Sequence, residues 1–220
     1  MPPSSSVSTG SSSTSVSPVH VLALSLLWWG AFVAGRVVGH VSAVLGVLAL
    51  AILFLPLRDR RLRARCFAGT ARELAVDVVA GAIVGVASIA LTHAAYPVAV
   101  AAAPALATEV ARLYVLAGLG LSTLPATLVV IVAEEVLWRA AGPAALAVRG
   151  AHPVVAAGSS TALYAAAQSG SGSVWLVAAA FGLGAVWATL AVTRGGRIVA
   201  PLVAHALWTL VVLGAWPLVP

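Results

Sequence analysis

Two of the six carboxylates in this 220-residue sequence stand where none would be expected. Glu134 and Glu135 follow an uncharged stretch from Leu113 to Ala133, in the run Ala133-Glu134-Glu135-Val136-Leu137-Trp138-Arg139. In an apolar, membrane-like setting each acid costs about 2.5–3.5 kcal/mol unless it is paired, and adjacent carboxylates also repel. On a helix, Glu135 and Arg139 stand at i, i+4 and share a face, the spacing of a structural ion pair. Glu134 points about 100° away and has no cation at i±3 or i±4. It is the candidate general base. One Glu–Arg pair would be enough to stitch helices together, so the second acid points to chemistry.

Other polar residues can reach the same depth. Gly150 marks a short turn between helical segments 122–148 and 153–170, which should pack antiparallel. Glu134 and Gln168 then both lie about 22–24 Å from that turn at 1.5 Å per residue. Tyr164 is one helical turn before Gln168 and shares its face. His205 lies in the last apolar segment with Thr209 at i+4. Counted from its own turn, His205 sits only about 12 Å deep, so its meeting with Glu134 requires the Gly150 turn to protrude. His20, His40, His93 and His152 fall near predicted helix ends and are assigned no chemistry.

These residues must be positioned by membrane helices. The chain is 61% hydrophobic and 8% charged, with mean hydropathy +1.07, whereas soluble domains carry about 25% charged residues. The fold class is all-α, a polytopic transmembrane bundle. At roughly 20 residues per crossing, the predicted helices are 20–36, 40–57, 73–96, 122–148, 153–170, 174–193 and 198–217. Segment 98–120 is apolar but interrupted by Pro97, Pro104, Glu109 and Arg112, and reads as a broken or re-entrant element. Seven spans result, or eight if it crosses. Residues 1–19 hold nine serines and read as a disordered tail. Residues 20–112 form the amino-terminal helices and 113–220 the chemical core.

Twelve arginines, no lysine and a pI near 11 suit a membrane protein obeying the positive-inside rule. Loop 58–72 carries Arg58, Arg60, Arg61, Arg63, Arg65 and Arg72, which places it and the amino terminus in the cytoplasm. With seven spans, Arg149, Arg194 and Arg197 join it. Anionic lipid head groups are an additional partner for this loop. No aromatic platform or recognisable fold accompanies the arginines, so nucleic acid is not expected. Asp59, Glu73 and Asp77 sit in or beside the loop, and Glu109 is spaced to pair with Arg112. Cys66 is the sole cysteine, which excludes an internal disulfide and any cysteine-based zinc array. Trp28 and Trp29 lie mid-span, where an interfacial aromatic belt does not explain them. The missing lysine and the Ala/Val/Leu/Gly bias suggest a GC-rich bacterial gene.

Glu134-Glu135-x-x-x-Arg139 resembles the EExxxR motif of the CPBP intramembrane proteases, the CaaX-protease and bacteriocin-processing or Abi family. The family's second motif, Phe-x-x-x-His, is approximated by Tyr164-Ala165-Ala166-Ala167-Gln168. Its third, His-x-x-x-Asn or Asp, is approximated by His205-Ala206-Leu207-Trp208-Thr209. The resemblance covers residues 115–215. It implies a membrane endopeptidase acting on membrane-associated protein or peptide substrates, sited in the bacterial inner membrane. It further implies that Glu134 activates water, that Glu135 and Arg139 hold the structure, and that His205 is an electrophilic helper with Gln168 and Thr209 beside it. If a zinc ion binds, Glu134 and His205 would be its ligands. Gln168 and Thr209 depart from the motifs, and Gln binds Zn²⁺ poorly and shuttles no proton near neutral pH, so a metal-free hydrolysis is favoured. Two other readings remain open: a degenerate member that binds membrane clients without cutting them, and a small proton-coupled transporter using Glu134 or Glu135. No internal repeat supports the latter.

Overall fold

The computed structural model describes residues 16–118, 120 and 122–218; the serine-rich stretch ahead of Val16 lies outside them. Helix α1 spans Pro18–Val38, two residues earlier than expected. Pro18 takes the first helical position, and the Ser17 hydroxyl accepts the His20 amide. Helix α2 is Val41–Arg58. A short helix not foreseen in the basic loop, α3 (Arg60–Cys66), is capped by Asp59, whose carboxylate accepts the amides of Arg61 and Leu62.

Helix α4 runs from Ala71 to Ala102, straight through Pro97. It starts at a reciprocal cap in which Thr70 accepts the Glu73 amide and Glu73 accepts the Thr70 amide. Helix α5 is Ala105–Ala117. At 1.5 Å per residue it is about 20 Å long, too short for a hydrocarbon core of about 30 Å. Segment 98–120 is split at Ala103–Pro104, its first residues completing α4 and the rest forming α5. Helices α6 (Leu124–Glu135) and α7 (Gly142–Ala147) are joined by a π-helical segment, Val136–Ala141. Helices α8 (Pro153–Gln168), α9 (Val174–Thr193) and α10 (Val199–Leu210) follow, the last continuing as a second π segment, Val211–Ala215.

Large apolar side chains cover the outside: Leu26, Leu50, Ile83, Val98 and Val174 are all exposed. That surface suits lipid and not water. Among the described residues, α1, α4 and α9 are long and apolar enough to cross a membrane, with shorter apolar helices at Val41–Phe54 and Val199–Ala215. The protein is an integral-membrane helical bundle. Trp28 is fully buried edge-on against Trp138, whose indole N–H donates to Ser25, while Trp29 faces outward. That division accounts for the two mid-span tryptophans.

The ends of the bundle are tied differently. At one end, Arg197 and Arg194 of the α9–α10 turn reach Asp77 of α4, the Ile198 amide donates to the Cys66 carbonyl, and Arg65 lies over Gly196. At the other, α5 is fastened by the Ser42 hydroxyl on the Ala117 carbonyl and the Tyr114 hydroxyl on the Val212 carbonyl. Glu109, expected to pair with Arg112, instead accepts from the Ser173 hydroxyl and the Trp175 amide and caps α9.

Candidate active site

The central carboxylates come from the junction of α6 and the π segment. Wedging an extra residue into a helical turn leaves carbonyls without their usual i+4 amide. Here the Ser160 hydroxyl of α8 accommodates the strain by donating to the Trp138 carbonyl at 2.7 Å. Gly142 allows this approach, since a Cβ there would come 2.3 Å from Ser160 Oγ. Glu134 and Glu135 end α6, and Arg139 lies within the π segment.

Glu134 is held from three directions. Gln168 Nε2 donates to its Oε1 at 2.8 Å, and the Tyr164 hydroxyl donates to its Oε2 at 3.1 Å. His205 Nε2 lies 3.5 Å from Oε2. The other imidazole nitrogen, Nδ1, is 2.8 Å from Glu135 Oε1, so the imidazole bridges two adjacent carboxylates. Spacing along α6 showed Glu134 without a cation on its own helix; the structure supplies the partner from α10. No local signal could reveal that contact, because it joins residues 71 positions apart.

The depth mismatch for His205 is resolved by the packing. Ile198, at the foot of α10, is buried among Val136, Ala140, Ala141 and Ala144. Helix α10 thus begins level with the π segment, and the turn around Gly150 projects beyond it.

Arg139 and Glu135 form the expected pair, with Nε 3.6 Å from Oε2 and both side chains fully buried. None of the three Arg139 nitrogens makes a hydrogen bond among the described residues. Its charge is met instead by aromatic faces: the guanidinium carbon stands 4.3 Å from the Tyr164 ring centroid and 5.5 Å from that of Trp187. Trp187 also stacks on His205 at 4.2 Å. Sequence reasoning gave Trp187 no role. It is the wall that holds both the imidazole and the guanidinium, and nothing in its spacing marks it out from the other tryptophans.

A cavity of about 150 Å³ opens against this cluster. Glu134, Gln168, His205 and Thr209 line it, with Thr209 one helical turn beyond His205. Glu135 and Arg139 do not reach it. Much of the remaining wall is apolar, including Leu45, Leu116 and Leu176. The cavity lies toward the end of the bundle where α5 sits. Of the four histidines left aside, His20 and His152 support helix starts and His93 stacks on Trp216.

A carboxylate held by two donors, beside an imidazole and facing a cavity, can accept a proton from water and support charge on a reacting carbonyl. Residues 116–211 match the family model of type II CAAX prenyl endopeptidase Rce1-like proteins. That agrees with the CPBP resemblance of the three motifs. No curated protein and no solved structure matches the chain.

Proposed function

From the premise that residues 116–211 are Rce1-like, we propose that this protein is a membrane-embedded endopeptidase in which Glu134 activates water against a peptide carbonyl. The observation that carries this reading is the division between the two acids. Glu134 lines the cavity, while Glu135 is turned into the pocket of Arg139 and His205.

Glu134 takes a proton from a cavity water, and the water oxygen bonds to the carbonyl carbon. His205, anchored through Nδ1 on Glu135, presents Nε2 beside Glu134, and with Thr209 it borders the space in which the oxyanion develops. Collapse of the tetrahedral intermediate breaks the C–N bond, and the proton held by Glu134 passes to the departing amine. Gln168 and Tyr164 hold the base in place throughout.

Zinc does not suit this donor set. Among the described residues no three His, Cys, Asp or Glu side chains are grouped to hold a metal. Where the family motif has a His, Gln168 presents an amide N–H to Glu134. No step is routed through a metal.

Nine of the twelve arginines belong to loop 58–72 and the turns at 149 and 194–197, all at one end of the bundle. The positive-inside rule assigns that end, and the start of α1, to the cytoplasm of a bacterial inner membrane. The cavity then opens toward the opposite face, and the substrates are peptide segments of membrane-associated proteins presented there.

The test compares protein termini in host membranes carrying wild type or Glu134→Gln at equal, correctly inserted levels. A general base contributes about 10²–10⁴-fold, so the variant should lose a set of termini and accumulate the precursors. Identical termini would overturn the peptidase reading and favour a client-binding protein, with Gln168 as the departure that explains it.

A further inference from the structure

We propose that Arg36, exposed at the mouth of the cavity, binds a carboxylate of the peptide substrate there, an inference that rests on the peptidase reading but is tested separately from it. Arg36 stands in the last turn of α1, outside the stretch that is Rce1-like. It lines the same cavity as Glu134, Gln168 and His205.

Its seat is built from the turn that follows Gln168. Arg36 Nη1 donates to the Gly170 carbonyl at 3.4 Å. The guanidinium lies so close over Gly172 that a Cβ there would come 2.3 Å from Nη1 and 2.7 Å from Cζ. A Cβ at Gly170 would come 2.4 Å from the Trp29 carbonyl. Two glycines thus let α1 settle on the 169–172 turn and bring a cation beside the residue that holds the base.

That cation has no carboxylate of its own. Each of the six acids is engaged elsewhere: Asp59 caps α3, and Glu73 and Asp77 face Arg197 at the far end. Glu109 caps α9, and Glu134 and Glu135 share His205. Among the described residues none comes within ion-pair distance of Arg36. A guanidinium has five N–H donors in a planar fork suited to carboxylates, and the one contact to Gly170 leaves most of them available. At the mouth of a cavity whose wall is largely apolar, its complement is an anion attached to an apolar peptide. That carboxylate is either a free chain terminus or an Asp or Glu side chain.

The experiment measures binding and cleavage separately. Full-length Glu134→Gln protein, in nanodiscs of phosphatidylcholine, is titrated with a fluorescent apolar hexapeptide of Ala, Leu and Val. One form has a free carboxyl terminus, one a terminal amide, and one a terminal amide with an internal Glu. The expected result is that one carboxylate form binds roughly tenfold tighter than the neutral peptide, the scale of one charge-assisted hydrogen-bonded contact. Arg36→Gln in the same background should abolish that preference and leave neutral-peptide binding unchanged. Arg36→Lys should keep part of it. The form that wins identifies the source of the carboxylate.

Equal binding of all three forms, or a preference that survives Arg36→Gln, overturns the proposal. So does unchanged peptide preference accompanied by lost retention of phosphatidylglycerol, which would make Arg36 a lipid contact. Carboxylate-dependent binding without cleavage by the wild type would remove the peptidase reading and leave Arg36 standing. Cleavage that is indifferent to carboxylates would do the reverse.

Discussion

Removing the Glu135 charge should destabilise this protein far more than removing the charge of its neighbour. Arg139 is 2% exposed and Glu135 0%, and the nearest carboxylate oxygen to the guanidinium is Glu135 Oε2 at 3.6 Å. Glu135→Gln therefore takes the nearest carboxylate from a buried cation that otherwise rests against the Tyr164 and Trp187 rings. Breaking one side of such a pair costs about 3–5 kcal/mol, while replacing both partners by apolar groups of similar volume is often close to neutral. Arg139→Met should be costly too, because it leaves the buried Glu135 carboxylate beside Glu134 without its guanidinium. The double variant Glu135→Gln/Arg139→Met should then be more stable than the sum of the singles predicts, by about 2 kcal/mol or more. The assay is reversible unfolding in mixed micelles followed by tryptophan fluorescence, with all four proteins in one double-mutant cycle. Glu134→Gln serves as the contrast: an amide can still accept from Gln168 or Tyr164, and the change should cost less than Glu135→Gln. Additive singles, or a Glu134→Gln protein as unstable as Glu135→Gln, would refute the assignment of one acid to structure and the other to chemistry.

Gly142→Ala should drive a Cβ into Ser160 Oγ and displace its hydrogen bond to the Trp138 carbonyl; overpacking of this kind costs about 1–3 kcal/mol, and an unfolding midpoint equal to wild type would contradict it. Asp77→Asn should weaken the hold of α4 on Arg194 and Arg197 by about 1.5–3 kcal/mol, the worth of hydrogen bonds to charged groups. Protease sensitivity of the α9–α10 turn is the readout, and unchanged digestion would count against it. Cys66 is buried in α3, and burial pushes its thiol up to about 11. The reactive thiolate is therefore scarce between pH 7 and 9, and a maleimide should label the folded protein slowly across that range but rapidly once it is unfolded; fast labelling of the native protein would show that α3 is not packed as described.

How much of this was legible before folding differs from residue to residue. The helical class follows from composition, because a chain with so few charges can satisfy its backbone in lipid only as helices or a closed barrel. Of the four interruptions read in and beside 98–120, only Pro104 marks the break; α4 runs through Pro97, and α5 through Glu109 and Arg112. The π segment was marked only at its edge, by Gly142-Pro143: Pro143 has no amide to donate to the preceding turn, and Gly142 admits Ser160 from another helix. Helix α3 was hidden for another reason: a run of arginines reads as a loop, and the helix depends on the Asp59 cap and on burying Leu62 and Cys66 against the π segment. Within the site, spacing placed Glu135 with Arg139 and put Tyr164 and Gln168 on one face. It could not place His205 between the two acids, because that depends on how far the Gly150 turn protrudes.

The arrangement also bears on the departure at Gln168. A histidine there could exchange a proton with Glu134; a glutamine cannot, but its amide still donates at 2.8 Å and, with Tyr164, fixes where the carboxylate points. In the proposed mechanism proton transfer falls to Glu134 itself, and charge support to His205, whose far nitrogen is anchored on Glu135. Each role needed for general-base hydrolysis therefore has an occupant without Gln168 changing its protonation. Substituting His at this position should add a second titrating group beside Glu134 and make cleavage depend more steeply on pH, whereas Gln168→Leu should free the carboxylate and reduce the rate at every pH. Parallel pH–rate profiles for the wild type and Gln168→Leu, with equal maxima, would show that the amide does not position the base.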